Sequence, residues 1–167
     1  MNSADLFSQS STTATGTVKL LVFTLGSLNT ALSIDMVNKV VNYSNITSSG
    51  LNHYGLVNIE GKDITVIDLH KKLFGTSEQL SPEDKKYLLL SRNSNGETFG
   101  ILIKNSPELY DIALNSIRQL PNSYRRADTL KIASHVFMVA TDEENQEENQ
   151  EQRTVFILDP DELILNS

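Results

Sequence analysis

The chain reads as short apolar stretches separated by turn residues, the pattern of an all-β protein. VKLLVFTL (18–25) is rich in Val, Leu and Phe, stops at Gly26-Ser27 and is followed by ALSI (31–34), which predicts a hairpin. VNKVVNY (37–43) alternates only weakly. YGLVNIEG (54–61) runs into KDITVIDL (62–69) across Glu60-Gly61-Lys62-Asp63, a second hairpin pattern. KYLLLSR (86–92) and TFGILIK (98–104) flank Asn93-Ser94-Asn95-Gly96, the plainest turn in the chain. LKIASHVFMVA (130–140) and RTVFILD (153–159) flank DEENQEENQEQ (142–152), which holds six acids and no apolar residue and predicts a solvated loop.

Helices are expected to be few. Asp68 stands where it can cap LHKKLF (69–74), and Asp159 where it can cap PDELIL (160–165), with Pro160 at the first helical position and acids in the first turn. Ser81-Pro82-Glu83-Asp84 predicts a single helical turn. The order also repeats. Strand, turn and strand over 18–34 resemble 86–104, and TVIDLHKKL (65–73) resembles VFILDPDEL (155–163). The repeat predicts two intertwined β units, roughly 18–80 and 81–167, each too small to be comfortable alone and sharing an apolar seam. Residues 1–17, rich in Ser and Thr, read as a disordered arm.

Composition narrows the class. With 14 Lys+Arg against 21 Asp+Glu, a net charge of -7 repels phosphate, so nucleic acid and anionic membrane are poor partners. No apolar run approaches the roughly 18 residues that a spanning helix needs, and the first residues lack the basic and apolar regions of a secretory signal, so a cytoplasmic protein is expected. The absence of Cys excludes disulfides, thiolate metal sites and cysteine nucleophiles.

No catalytic chemistry stands out in what remains. His53, His70 and His135 lie far apart without ligand-spaced partners, the eight Gly form no phosphate loop, and no G-x-S-x-G elbow is present. Asp68 and Asp159 are better explained as helix caps than as paired catalytic carboxylates. Asn42-Tyr-Ser and Asn45-Ile-Thr match glycosylation sequons by pattern alone. No cofactor, metal or catalytic residue is expected, and by exclusion binding outranks catalysis.

Taken together, LVFTLGSLNTALSIDMVNKVVNYSNIT and YGLVNIEGKDITVIDLHKKLFG resemble the CheW family of chemotaxis coupling proteins. Gly55, Asn58 and Glu60-Gly61 fall on that family's G-x-x-N-x-R-G turn, and 65–69 on its P-V-x-D-L strand end. YLLLSR, TFGILIKNSPELYDI and TVFILDPDEL extend the resemblance to about 18–165. It implies two five-stranded SH3-like β-barrels packed on a shared core, with a few short helices. It also implies a non-catalytic adaptor that joins the regulatory domain of a CheA-type histidine kinase to the cytoplasmic tips of methyl-accepting chemoreceptors, in chemotaxis, phototaxis or pilus-based motility.

By the same resemblance Leu21, Ile34 and Val37 match kinase-facing positions. Lys39, Gly55, Asn58, Glu60 and Ile101 match the receptor-facing groove. Gly55 falls on a glycine that needs backbone freedom or close approach. The sequence also departs from the family. Glu60 replaces a common Arg, Lys39 replaces a common acid, SSGLNHYG replaces a Pro-rich approach, and Ile103-Lys104 replace a V-D pair. The two reversed charges read either as a swapped ion pair beside the groove or as two unrelated surface changes, and the sequence does not decide whether Lys39 and Glu60 are in contact. The alternative reading is an unrelated small β-barrel enzyme or ligand-binding protein, which would need a deep pocket with converging polar groups. The length leaves no room for a phosphotransfer or receiver domain beside the β module, which argues against a detached kinase module.

Overall fold

The structure is a computed structural model, and it describes residues 16–43, 54–121, 123, 131–140 and 152–165. The arm 1–17, apart from its last two residues, and the acidic segment 142–152, apart from Gln152, lie outside the described residues.

Eleven strands and two short α-helices follow one another in the described residues. They are β1 (Thr17–Leu25), β2 (Leu28–Ser33), β3 (Val37–Asn42), β4 (Tyr54–Ile59), β5 (Lys62–Ile67), α1 (Leu69–Phe74), β6 (Lys86–Arg92), β7 (Thr98–Lys104), β8 (Glu108–Ala113), β9 (Arg118–Gln119), β10 (Ala133–Ala140), β11 (Gln152–Leu158) and α2 (Pro160–Leu165). Single 3-10 turns at Ile34–Met36 and Leu114–Ser116 precede β3 and β9. Ile34, expected at the end of a strand, is instead the first residue of such a turn. Ser81–Asp84 is a tight turn closed by Asp84 N–H to the Ser81 carbonyl, without a helix. β8 was not expected: Pro107 precedes it, and Glu108 and Asp111 interrupt its apolar alternation.

The strands form two sheets, ordered β8-β1-β2-β11-β10-β9 and β3-β6-β7-β5-β4. Setting β3, β6, β7, β5 and β4 against β8, β1, β2, β11 and β10 superposes the two orders strand for strand. The parallel pairs β5–β7 and β11–β2 then fall in the same place. The repeat expected from the sequence is therefore real in topology. The sheets do not divide the chain at residue 80, however. The second sheet is continuous in sequence from β3 to β7, and the first is assembled from β1 and β2 before it and β8 to β11 after it. β9 adds a sixth, two-residue strand to the first sheet where five were expected.

Three apolar clusters hold this together. Leu20, Val22, Ala31, Phe137, Val155 and Ile157 fill the inside of the first sheet's curl. Val57, Ile64, Val66, Leu88 and Leu90 fill the second. The second cluster takes in Val41 of β3 and Ile59 of β4, the two edge strands of its sheet, so that sheet rolls until its edges face each other. The third and largest cluster is the seam between the sheets, with Leu21, Phe23, Leu25 and Leu32 on one side and Ile67, Leu89, Phe99, Ile101 and Ile103 on the other. A strand between an inner cluster and the seam is buried on both faces. That is why β1 reads as an uninterrupted apolar run rather than an alternation.

The helices close each half as their sequences predict. Asp68 Oδ1 accepts from Lys71 N–H at 3.1 Å and Gly75 ends α1 at φ 83. Asp159 Oδ1 accepts from Asp161 N–H at 3.0 Å. The chain passes from the first sheet to the second at the 34–36 turn and returns at Asn105, whose φ is 62. Both passages are tied to residues in or beside β6. Arg92 and Ser91 bond the first, and the Asn105 N–H bonds the Lys85 carbonyl at the second.

Candidate docking surfaces

Two surfaces carry the residues singled out above. The first lies where β1, β2 and β8 pass the edge of the seam. Leu21 stands between Leu32 and Leu109 in register, so the three form one row across three strands. Leu21 itself is 8% exposed and belongs to the seam core, so a partner would meet little of it. Leu109 is 53% exposed in the same row. The 34–36 turn packs beside β1, leaving Ile34 half-buried, and Val37 is half-buried against the seam. Leu109 is thus exposed beside the buried Leu21 on one flank of β1, and Ile34 and Val37 are half-buried at the turn that packs on the same strand and at the strand after it. Lys19 and Asp111, paired at 3.4 Å, border the row. Leu109 escaped notice in the sequence because its strand did.

The second surface is the open end of the rolled second sheet. Its geometry depends on one extra residue in β3. Val37 pairs with Ser91 and Lys39 with Leu90, so the register shifts by one at Asn38. Without that bulge Val37 and Lys39 would share a face. With it Val37 and Val40 face the seam, while Lys39 falls on the side of Leu90 and Val41, at the mouth of the inner cluster. Opposite stands the β4–β5 turn, where Glu60 (φ 54) and Gly61 (φ 82) both take positive φ, the pattern of a type I′ hairpin turn. Asn, Asp or Gly suits the first of these positions better than Glu, so the Glu60 backbone is mildly strained.

That strained turn aims Glu60 Oε1 at Lys39 Nζ, 2.7 Å away. Of the two readings of the reversed charges, the swapped ion pair is the one present. It spans the two edge strands of one sheet, linking them where no backbone ladder does. The hydrogen bond from Lys39, and then its positive charge, hold the Glu60 carboxyl below its ordinary range. Around the pair lies a cleft of about 340 Å3 whose walls include Ile59, Ile64 and Leu90, with Asn38, Lys62 and Asp63 at the rim. It is an open mouth rather than an enclosed pocket.

Asn58, exposed on β4, donates from Nδ2 to Asp63 Oδ1 at 3.1 Å across the hairpin. Gly55 is half-buried farther along β4, paired with Val66. Leu56, between them on the outer face, is 53% exposed. The alternation of YGLVNIEG carried the signal for it, since a buried Val57 puts Leu56 and Asn58 outside together. Ile101 does not join this surface. It is 0% exposed on β7, a central strand flanked by β6 and β5, and its side chain lies in the seam. Lys39, Asn58 and Glu60 are therefore gathered at one end of the sheet, with Gly55 on the same strand as Asn58 and Ile101 in the core. Among the described residues no group of three or more His, Cys, Asp or Glu is placed to hold a metal ion, and no helix is long and apolar enough to cross a membrane.

Comparison with known proteins agrees with this architecture. The family model of the CheW-like domain matches residues 19–166. Among solved structures, the scaffolding protein TtCheW of Thermoanaerobacter tengcongensis superposes with a TM-score of 0.63 at 23% identity, over 85% of this chain and 84% of its own. No curated protein matches the sequence significantly.

Proposed function

The chain belongs to the CheW-like domain family, and from that premise we propose that it is a non-catalytic cytoplasmic adaptor coupling a CheA-type histidine kinase to chemoreceptors. The observation that carries the reading is the family match over 19–166, nearly the whole length, supported by the doubled sheet topology. A family of scaffolds works by presenting surfaces rather than chemistry, and two distinct surfaces are on view here.

In this reading the kinase regulatory domain docks on the apolar patch of Leu109, Ile34 and Val37 over the buried Leu21. Removing these apolar side chains from water is the term that would favour association there. The receptor tip docks along the outer face of β4, at Leu56 and Asn58, beside the Lys39–Glu60 pair. Reversed charges beside a docking site penalise partners built for the usual signs, so the pair would select a receptor with matching changes.

The test is calorimetric titration of the full chain with the regulatory domain of its own genome's CheA-type kinase and, separately, with a receptor cytoplasmic fragment. Binding of both, lost respectively in Val37→Asp and Leu56→Asp with folding intact, supports the assignment. Binding of neither by the wild-type chain overturns it.

A further inference from the structure

The 34–36 turn is a poor candidate for a self-supporting structure. It is three residues long, and Ser33, at its N-cap, makes no side-chain capping bond. The Ser33 hydroxyl is buried without a partner in the structure. What holds the turn comes from elsewhere in the chain. Arg92 Nη2 donates to the Asp35 carbonyl at 2.8 Å and Ser91 Oγ donates to the Met36 carbonyl at 2.7 Å. Both donors lie at the end of β6, in the other sheet, more than fifty residues away in sequence. Two successive carbonyls of the turn are thus fixed from the strand that pairs with β3, so the turn and β3 are located by the same element.

We propose that Arg92 is a positioning residue for partner docking: through the Asp35 carbonyl it holds the 34–36 turn so that Ile34 and Val37 present one apolar patch with Leu109. The inference rests on the kinase-docking reading above and adds to it a residue that need not touch the partner. The chemistry favours arginine. A guanidinium on an exposed stem keeps its charge and donates along a fixed plane to a carbonyl. The turn's own backbone bond goes to the Ile34 carbonyl, which leaves the Asp35 carbonyl to an outside donor. Ser91, fully buried, bonds the Met36 carbonyl with its single hydroxyl, and the Asp35 carbonyl is bonded by Arg92.

The experiment measures binding of the kinase regulatory domain to wild type, Arg92→Ala, Arg92→Lys, Ile34→Ala and the double variant Arg92→Ala/Ile34→Ala. Hydrogen exchange at the amides of 35–38 and thermal unfolding are followed in parallel. The expected result is a loss of about three- to tenfold in affinity for Arg92→Ala, the net size of one ordinary hydrogen bond in competition with solvent. Arg92→Lys should recover part of that loss. Exchange at 35–38 should rise in Arg92→Ala with the melting temperature nearly unchanged. In the Ile34→Ala background Arg92→Ala should cost less than it does in wild type, since one of the two side chains it positions is gone. A fully additive loss in the double variant, or an Arg92→Ala variant that binds as wild type while Val37→Asp does not, overturns the positioning role alone. A wild-type chain that does not bind the kinase domain overturns the docking reading and this inference with it.

Discussion

Ile101 belongs to the seam between the sheets and not to either docking surface. It is wholly buried, with Leu89 beside it on β6 and Ile67 beside it on β5. Ile101→Ala removes three carbon atoms from a strand held by hydrogen bonds on both sides, so the backbone cannot move in to fill the space. Substitutions of this kind cost about 2–5 kcal/mol, and the flanked position argues for the upper half of that range. For a chain of this size each kcal/mol lowers the melting temperature by about 2–4 °C, so the midpoint should fall by roughly 7–20 °C. Thermal unfolding followed by circular dichroism measures it. Receptor and kinase binding, titrated well below the new midpoint, should stay within about twofold of wild type, because the side chain faces neither surface. Leu56→Asp should behave in the opposite way. At an exposed position it should change stability by no more than about 0.5 kcal/mol while abolishing receptor binding. A melting temperature within a degree or two of wild type for Ile101→Ala would refute the packing argument. Lost receptor binding in a fully folded Ile101→Ala would refute the placement of Ile101 in the seam.

Gly100→Ala should destabilise by about 1–3 kcal/mol in denaturant titration, because its new methyl would lie 2.8 Å from Leu88 Cδ1 in the second inner cluster. Lys39→Glu and Glu60→Arg should each set like charges face to face and lower stability, and the double variant should recover it; strictly additive effects would show that the pair does not act as a unit. The same pair has a pH dependence of definite sign. Since Glu60 has its folded pKa depressed below 4.5, its contribution is present above that value and is lost as the pH falls further, and 1 M salt should mute it.

Much of this was legible in the sequence, for physical reasons that differ from residue to residue. The hairpins at Gly26 and Gly61 and the caps at Asp68 and Asp159 are local, and local chemistry decides them. The repeat was legible because the two sheets have matching strand orders. Leu21 and Ile101 were harder to place. A strand packed between an inner cluster and the seam is apolar on both faces, so its sequence does not say which side chains reach solvent. The weak alternation of VNKVVNY is the trace of the bulge at Asn38, which a single extra residue creates and no composition rule reveals. β8 was hidden by its own charges, and Leu109 with it. Two charge reversals made a Lys39–Glu60 contact one of two readings, and both the contact and its place across the edges of a rolled sheet required the structure.

The interrupted first sheet also sets an order of events at the ribosome. β1 and β2 emerge first, yet β8 and β11, the strands that flank them, are made only after the whole second sheet. The 74 residues between Ser33 and Glu108 take about 4–15 s to synthesise at roughly 5–20 residues per second. For that interval a hairpin carrying Leu20, Leu21, Val22, Phe23 and Leu25 has neither of its lateral neighbours. The continuous second sheet can roll up meanwhile and offer its seam face as a temporary cover. A nascent chain stalled before residue 108 should therefore attract chaperones and crosslink through β1, and one released after α2 should not.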